Sequence, residues 1–259
     1  MWVSHFAPSF YLKPLSPSTP LGLLALAGAL PDILWLFLSI TGIEEITYHP
    51  HDGCFPYNAS YPYTHSALGI ALISVLFATF ATLFSGLGGK TFLVLTAAGL
   101  SHWVLDVLVH RHDMPLTSDP SSERYGLGWF DFNMPSFLLD LGLLLGGLIC
   151  YASSSLPATM RMRDSRVGAL AFFFVGMQVV FNFIGVPGEE ARWVHAPLFL
   201  VQLISVCCVL DVMEKSGGLA IDDVGGEVKR VLTESERVTV EKQYDGRGRE
   251  TEKVRDEIL

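Results

Sequence analysis

Six stretches of this 259-residue chain are each as long and as apolar as a bilayer crossing requires, and no other feature restricts its fold so severely. A hydrocarbon core of roughly 30 Å takes about 20 helical residues. The stretches cover residues 21–41, 66–85, 91–110, 136–154, 167–186 and 194–213. Turn or charge signals part them, such as Gly86-Leu87-Gly88-Gly89-Lys90 after the second and Arg161, Arg163 and Arg166 before the fifth. Ala27-Gly28-Ala29 has the spacing of a signal cleavage site, but the apolar run continues through Ile33-Leu34-Trp35-Leu36-Phe37. Backbone in lipid must satisfy its own hydrogen bonds, so the expected fold is all-α, a polytopic helical bundle of about six transmembrane helices.

Charge divides the chain in two. Residues 214–259 carry 12 of the 26 acidic and 9 of the 17 basic residues. The sequence therefore predicts a membrane-embedded domain over 1–213 and a polar, largely disordered tail over 214–259, with a short helix at 226–243. A net charge of −9 and the lack of a basic run interleaved with aromatics exclude nucleic acid as a partner. The cysteines, Cys54, Cys150, Cys207 and Cys208, form no CxxC pair and read as packing residues.

Alternating crossings gather Lys13, Lys90, Arg161, Arg163, Arg166 and the tail's Lys215, Lys229 and Arg230 on one side, against Arg111, Arg124 and Arg192 on the other. The positive-inside rule makes the tail side cytoplasmic. The loops at 42–65, 111–135 and 187–193 then face outside or the lumen, where Asn58-Ala59-Ser60 matches a glycosylation acceptor.

Ionisable side chains inside spans cost several kcal/mol unless they face protein, water or a partner, so each marks a candidate site. His102, Asp106 and His110 stand at i, i+4 and i+8 in the third stretch and form one slowly drifting stripe. Imidazole and carboxylate in that pattern make a ligand ladder for Zn²⁺ or a related divalent ion, or else a set of structural hydrogen bonds between helices. Asp32 follows Pro31 inside the first stretch, and His65 opens the second near the end where His110 falls. Three helices thus bring acid or imidazole toward one leaflet.

With these residues in view, the chain resembles the membrane-bound metal-dependent hydrolases of the YdjM type. The likeness rests on Ser4-His5-Phe6-Ala7, Leu30-Pro31-Asp32-Ile33-Leu34-Trp35, Thr64-His65-Ser66, and Ser101-His102-Trp103-Val104-Leu105-Asp106 followed by His110-Arg111-His112-Asp113-Met114-Pro115-Leu116, with Leu127-Gly128-Trp129 beyond. It spans residues 1 to about 210, and the third-helix block is its specific part. The resemblance implies a divalent-metal site built from His5, Asp32, His65, His102, Asp106 and His110, with a distant likeness of ligand pattern to zinc-dependent phospholipases C. The chain departs from that pattern at His112, where a proline is expected, and at Asp140, where a glutamate is expected. His5 also strains the topology. With the start of the chain on the cytoplasmic side His5 lies far from an outer-leaflet site, whereas a re-entrant hairpin at Pro31 would bring it near and carry Lys13 along.

The sequence therefore points to an integral membrane hydrolase acting through metal-activated water on an ester or phosphoester, a lipid among the candidates, near the outer or lumenal leaflet. His65, His102, Asp106 and His110 are the expected ligands, Asp32 a ligand or the general base, and Arg111 a partner for an anionic substrate group or an interfacial anchor. Gln178 and Asn182 read as interhelical hydrogen-bonding groups, His195 as an interfacial residue, and His49, His51 and His112 as loop residues. Two other functions use the same residues: a transporter or ion pathway, and a non-catalytic scaffold stabilised by metal.

Overall fold

A computed structural model of the protein describes residues 2–48, 53–155, 165–184 and 191–216, with four short strands beyond. Helices α1 (Ala7–Leu12), α2 (Leu21–Thr41), α3 (Ala67–Ser85), α4 (Gly89–Val109), α5 (Asn133–Ser155), α6 (Ser165–Val179) and α7 (Ala196–Ser216) make up most of the membrane-embedded unit. Among the described residues six segments are long and apolar enough to cross a membrane, and their ends fall within three residues of those read from the sequence. The chain is an all-α, multi-pass integral membrane protein.

Local chemistry sets the helix ends. Ser66 caps α3 by accepting from the Gly69 N–H at 3.1 Å. Gly42 ends α2 in the left-handed conformation at φ 81°, which lets its N–H turn back to the last carbonyls of the helix. Two hairpins lie in the loops that follow α2 and α4: β1 (Glu45–Tyr48) with β2 (Tyr57–Ser60), and β3 (Met114–Pro115) with β4 (Arg124–Tyr125). In the register of the first, Ile46 faces Ala59 and Tyr48 faces Tyr57. Tyr57 and Ile46 are buried, so this hairpin covers one end of the bundle.

Residues 2–15 and α2 overturn the re-entrant hairpin and bring His5 to the cluster without one. α2 is one continuous helix with Pro31 inside it, so no hairpin forms there. Instead a 3-10 turn (Val3–Phe6), α1 and a second 3-10 turn (Lys13–Leu15) run inside the protein against α2 and α5. At about 1.5 Å per residue this insert is far too short to span a bilayer, which is why a search for crossings passes over it. Enclosure by neighbouring helices lets such short backbone lie at membrane depth. His5 thereby reaches the middle of the bundle.

Small residues and a buried acid hold the insert. A Cβ on Gly28 of α2 would stand 2.5 Å from the carbonyl oxygen of His5, so only glycine lets the turn lie this close. Asp140 of α5, fully buried, accepts the backbone N–H of Ser4 at 3.0 Å and of Trp2 at 3.3 Å, and Gln178 of α6 donates to it at 3.2 Å. Gln178 also donates to Asn182 at 2.6 Å along its own helix, and Asn182 donates to the Asn133 carbonyl oxygen of α5 at 3.0 Å, so the interhelical role read for the pair rests on their bonds to Asp140 and Asn133.

The chain divides into two compact units, Met1–Met213 and Glu214–Leu259. Within the second, β5 (Asp222–Val224) pairs with β6 (Glu227–Lys229) and β7 (Val240–Tyr244) with β8 (Glu250–Val254). The helix expected at 226–243 is therefore replaced by strand at its described residues, where cross-strand pairing overrides a weak helical pattern; the rest of that range lies outside the described residues.

Candidate metal centre

The six residues singled out for a metal site come from four elements and meet. His5 is on the N-terminal turn, Asp32 in α2, His65 just before α3, His102 and Asp106 in α4, and His110 at its C-terminal cap. Asp106 is at the centre. Its Oδ1 lies 3.1 Å from His5 Nε2 and 3.8 Å from His110 Nε2, and its Oδ2 lies 3.1 Å from His102 Nε2 and 3.8 Å from His65 Nε2. Asp32 closes the other side, with Oδ1 at 3.2 Å from His65 Nε2 and Oδ2 at 3.7 Å from His5 Nε2. Two sets hold ligand atoms within 4.8 Å of one another, His5, Asp32 and His102, and His65, His102 and Asp106.

Hydrogen bonds behind the rings decide which nitrogen faces inward. His102 Nδ1 lies 2.7 Å from the carbonyl oxygen of Gly28, which can only accept, so the proton sits on Nδ1 and Nε2 keeps its lone pair. For His65 the chain is one step longer. The Thr64 hydroxyl donates to Glu44 Oε2 at 2.6 Å, which leaves its oxygen to accept from His65 Nδ1 at 2.9 Å. Buried Glu44 also accepts the N–H groups of Tyr63 and Thr64, at 2.9 and 3.0 Å, so the whole approach to α3 is fixed by one carboxylate. His110 Nδ1 faces Tyr61 Oη at 3.0 Å and Asp113 Oδ1 at 3.4 Å. Burial, with Asp113 beside it, raises the Tyr61 phenol well above its ordinary value, so it stays protonated. Burial alone would raise Asp113; the neighbouring His110 imidazole outweighs it and holds the carboxyl below its ordinary value.

The outcome is a ring of acceptors aimed at one another. His65 Nε2 and His102 Nε2 stand 3.4 Å apart, with the buried Asp106 carboxylate and the partly exposed Asp32 carboxylate beside them. Neither ring nitrogen of His5 meets hydrogen-bond geometry with a partner among the described residues, although its ring stacks on His102 with centroids 3.8 Å apart. Such an arrangement needs a cation between the acceptors or protons on the imidazoles. A divalent ion meets both needs, since its charge cancels two carboxylates and its coordination takes imidazole nitrogen and carboxylate oxygen alike. The donor set therefore fits a metal.

A cavity of about 30 Å³ opens beside the cluster, lined by Asp32, His65, Asp106 and His110 and walled by aromatic rings including Trp35, Phe55 and Tyr61. That is room for a water or two, not for a substrate. Asp32 is the most open of the cluster, with 14% of its side chain exposed. His195, read as an interfacial residue, also lines this cavity, and its Nδ1 lies 2.9 Å from Tyr57 Oη. It stands in a π-helical turn, Ala191–His195, a distortion that often marks functional positions.

Arg111 is not brought to the cluster. Its guanidinium meets Asp131 at 2.6 Å and donates to the Phe55 carbonyl oxygen at 3.3 Å. His112 is exposed, and His49 and His51 lie outside the described residues. Glu44 had no signal in the sequence, because next to exposed Glu45 it reads as one of two loop charges. Comparisons of the chain with protein-family models, curated proteins and solved structures find no match.

Proposed function

We propose that this membrane protein is a metal-dependent hydrolase that cleaves an ester or phosphoester, with Zn²⁺ as the ion and the YdjM-type hydrolases as its relatives. The observation that carries the reading is the convergence of the Nε2 atoms of His65, His102 and His110 on Asp106, with the opposite nitrogen of each ring engaged behind it. His5 adds a fourth imidazole from the inserted turn. When bound, the ion would polarise the scissile carbonyl or phosphoryl group and make a water acidic enough to attack near neutral pH.

The chain's own residues then have separate tasks. Asp106 and the imidazoles hold the centre. Asp32, at the open edge, takes the proton of the attacking water on a carboxylate oxygen and returns it to the leaving alkoxide as the ester bond breaks. Trp35, Phe55 and Tyr61 limit the site to very few waters, which strengthens every charge interaction inside it. The count of basic residues supports an outer or lumenal position for the site, with the C-terminus cytoplasmic.

The test is turnover by purified protein on soluble carboxylic esters, phosphomonoesters and phosphodiesters, before and after chelation. Hydrolysis that chelator abolishes and added Zn²⁺ restores is the expected result. Bound metal with no hydrolysis, together with metal-dependent ion flux in liposomes, would replace the enzyme by a transporter.

A further inference from the structure

Trp2, Phe181 and Phe199 line two cavities at once. One is the small cavity at the metal centre; the other, of about 480 Å³, lies between α6 and α7. The rest of the larger wall is apolar apart from Gln202, and it includes Phe172, Val180 and Leu198, which are 82%, 47% and 44% exposed on faces the spans turn to lipid. Gly176 forms part of it by lacking a side chain: no atom lies within 4 Å of where its Cβ would stand. The partition between the cavities is one layer of rings, Trp2 to Phe199 at 4.3 Å and Trp2 to Phe181 at 5.9 Å between centroids.

We propose that the groove between α6 and α7 receives one acyl chain of a membrane lipid, and that the lipid's ester reaches the metal centre past the Trp2, Phe181 and Phe199 rings. The proposal rests on the hydrolase reading and names its substrate class. An apolar hollow facing the bilayer is not filled by water, which is absent there, and an empty one forfeits dispersion contacts along its walls. Hydrocarbon is the medium at its mouth. The cavity at the metal centre is too small for a substrate, and this groove leads to it from the side where lipid stands. A chain lying in the groove therefore places the polar end of its lipid against the partition without passing through water.

The experiment uses the full chain in nanodiscs of dioleoyl phosphatidylcholine containing the same lipid with a diazirine in the acyl chain close to its ester. Trp2 is 5% exposed and Phe199 8%, so lipid merely coating the protein does not reach them. Photolysis is expected to label Trp2 and Phe199 as well as exposed Phe172. Gly176→Trp and Leu198→Trp, which fill the groove from opposite walls, should each lower the Trp2 label by about tenfold while leaving the melting curve and the labelling of Phe84 on α3 unchanged. Labelling confined to exposed side chains such as Phe84 in the wild type overturns the proposal, whatever the variants do. So does a Trp2 label that both filled variants retain, or a dimer that either variant dissociates, which assigns the groove to a second copy of the chain. Labelling as expected, in a protein that hydrolyses nothing, keeps the lipid site and removes the hydrolase; hydrolysis of soluble esters without the Trp2 label does the reverse.

Discussion

The carbonyl oxygen of Gly28 accepts the Nδ1 proton of His102 across 2.7 Å, and this one bond turns the other lone pair of the ring toward Asp106. Gly28 acts twice in the same place. Its bare Cα also admits the backbone of His5, which reaches the centre from an insert that crosses no membrane.

Gly28→Ala should therefore disturb the centre from outside it. The new methyl has to displace the His5 carbonyl, and overpacking of this kind costs about 1–3 kcal/mol. The expected outcome is a lower melting temperature together with weaker metal binding, because His5 moves. Gly176→Ala is the control, with open space at its Cβ and a stability change of no more than about 0.5 kcal/mol. Calorimetry of both variants in detergent checks this; equal stability would mean that the insert packs elsewhere.

Asp106 and Asp32 separate by role. Asp106→Asn keeps the volume and removes the charge that faces four imidazoles, so metal content and turnover should fall together. Asp32→Asn should keep the metal and lose turnover by about 100-fold or more, as expected for a missing general base. Metal analysis beside rate measurements tells them apart. Loss of metal from both would make Asp32 a ligand.

Glu44→Gln probes the ring nitrogen of His65 without touching the cluster. The amide oxygen can still accept from Tyr63 and Thr64, but its NH₂ now faces the Thr64 hydroxyl and turns it around. Thr64 then donates to His65 Nδ1, which sends the imidazole proton to Nε2 and into the site. Metal affinity should drop about 10–100-fold with little change in melting temperature. Competition against a chelator of known strength measures it, and an affinity equal to wild type would show that the Thr64 link does not set the tautomer. Glu44→Ala, by contrast, leaves the Tyr63 N–H and the two buried Thr64 donors without that acceptor and should cost more than about 2 kcal/mol.

The six spans were legible because a bilayer demands length and hydrophobicity, both of which a sequence displays directly. His102, Asp106 and His110 were legible for the related reason that charge in such a span stands out. What was not legible depended on contacts between distant segments. Residues 2–15 carry too few apolar residues to read as a crossing, and their place follows from Asp140 and Gly28, which are far away in sequence. Gly146 illustrates the same point on a helix face: four residues from Gly142, it has the spacing of a small-residue pair, yet which partner it packs on, Tyr11 of the insert, is set by the fold, while nothing lies near Gly142. Glu44 and His195 gained their roles from loops folding over the end of the bundle, which no local pattern records.

The proposed sidedness rests on the placement of basic residues. A reporter fused after residue 259 should read as cytoplasmic, and a glycosylation or thiol-labelling probe at exposed Asn58 should read as external. The opposite pair of results would place the metal centre at the cytoplasmic leaflet.

The measurement closest to the central claim is the metal content of protein purified in detergent without added metal, repeated after chelation and after His102→Ala. One or two equivalents of a divalent ion per chain are expected, lost to chelator with a fall in melting temperature and reduced in the variant, since the ion resolves the opposition of buried acceptors at His65, His102 and Asp106. A chain that carries no divalent metal, and whose melting curve neither chelator nor added Zn²⁺ moves, would contradict it and leave the cluster as hydrogen bonds between protonated imidazoles and carboxylates.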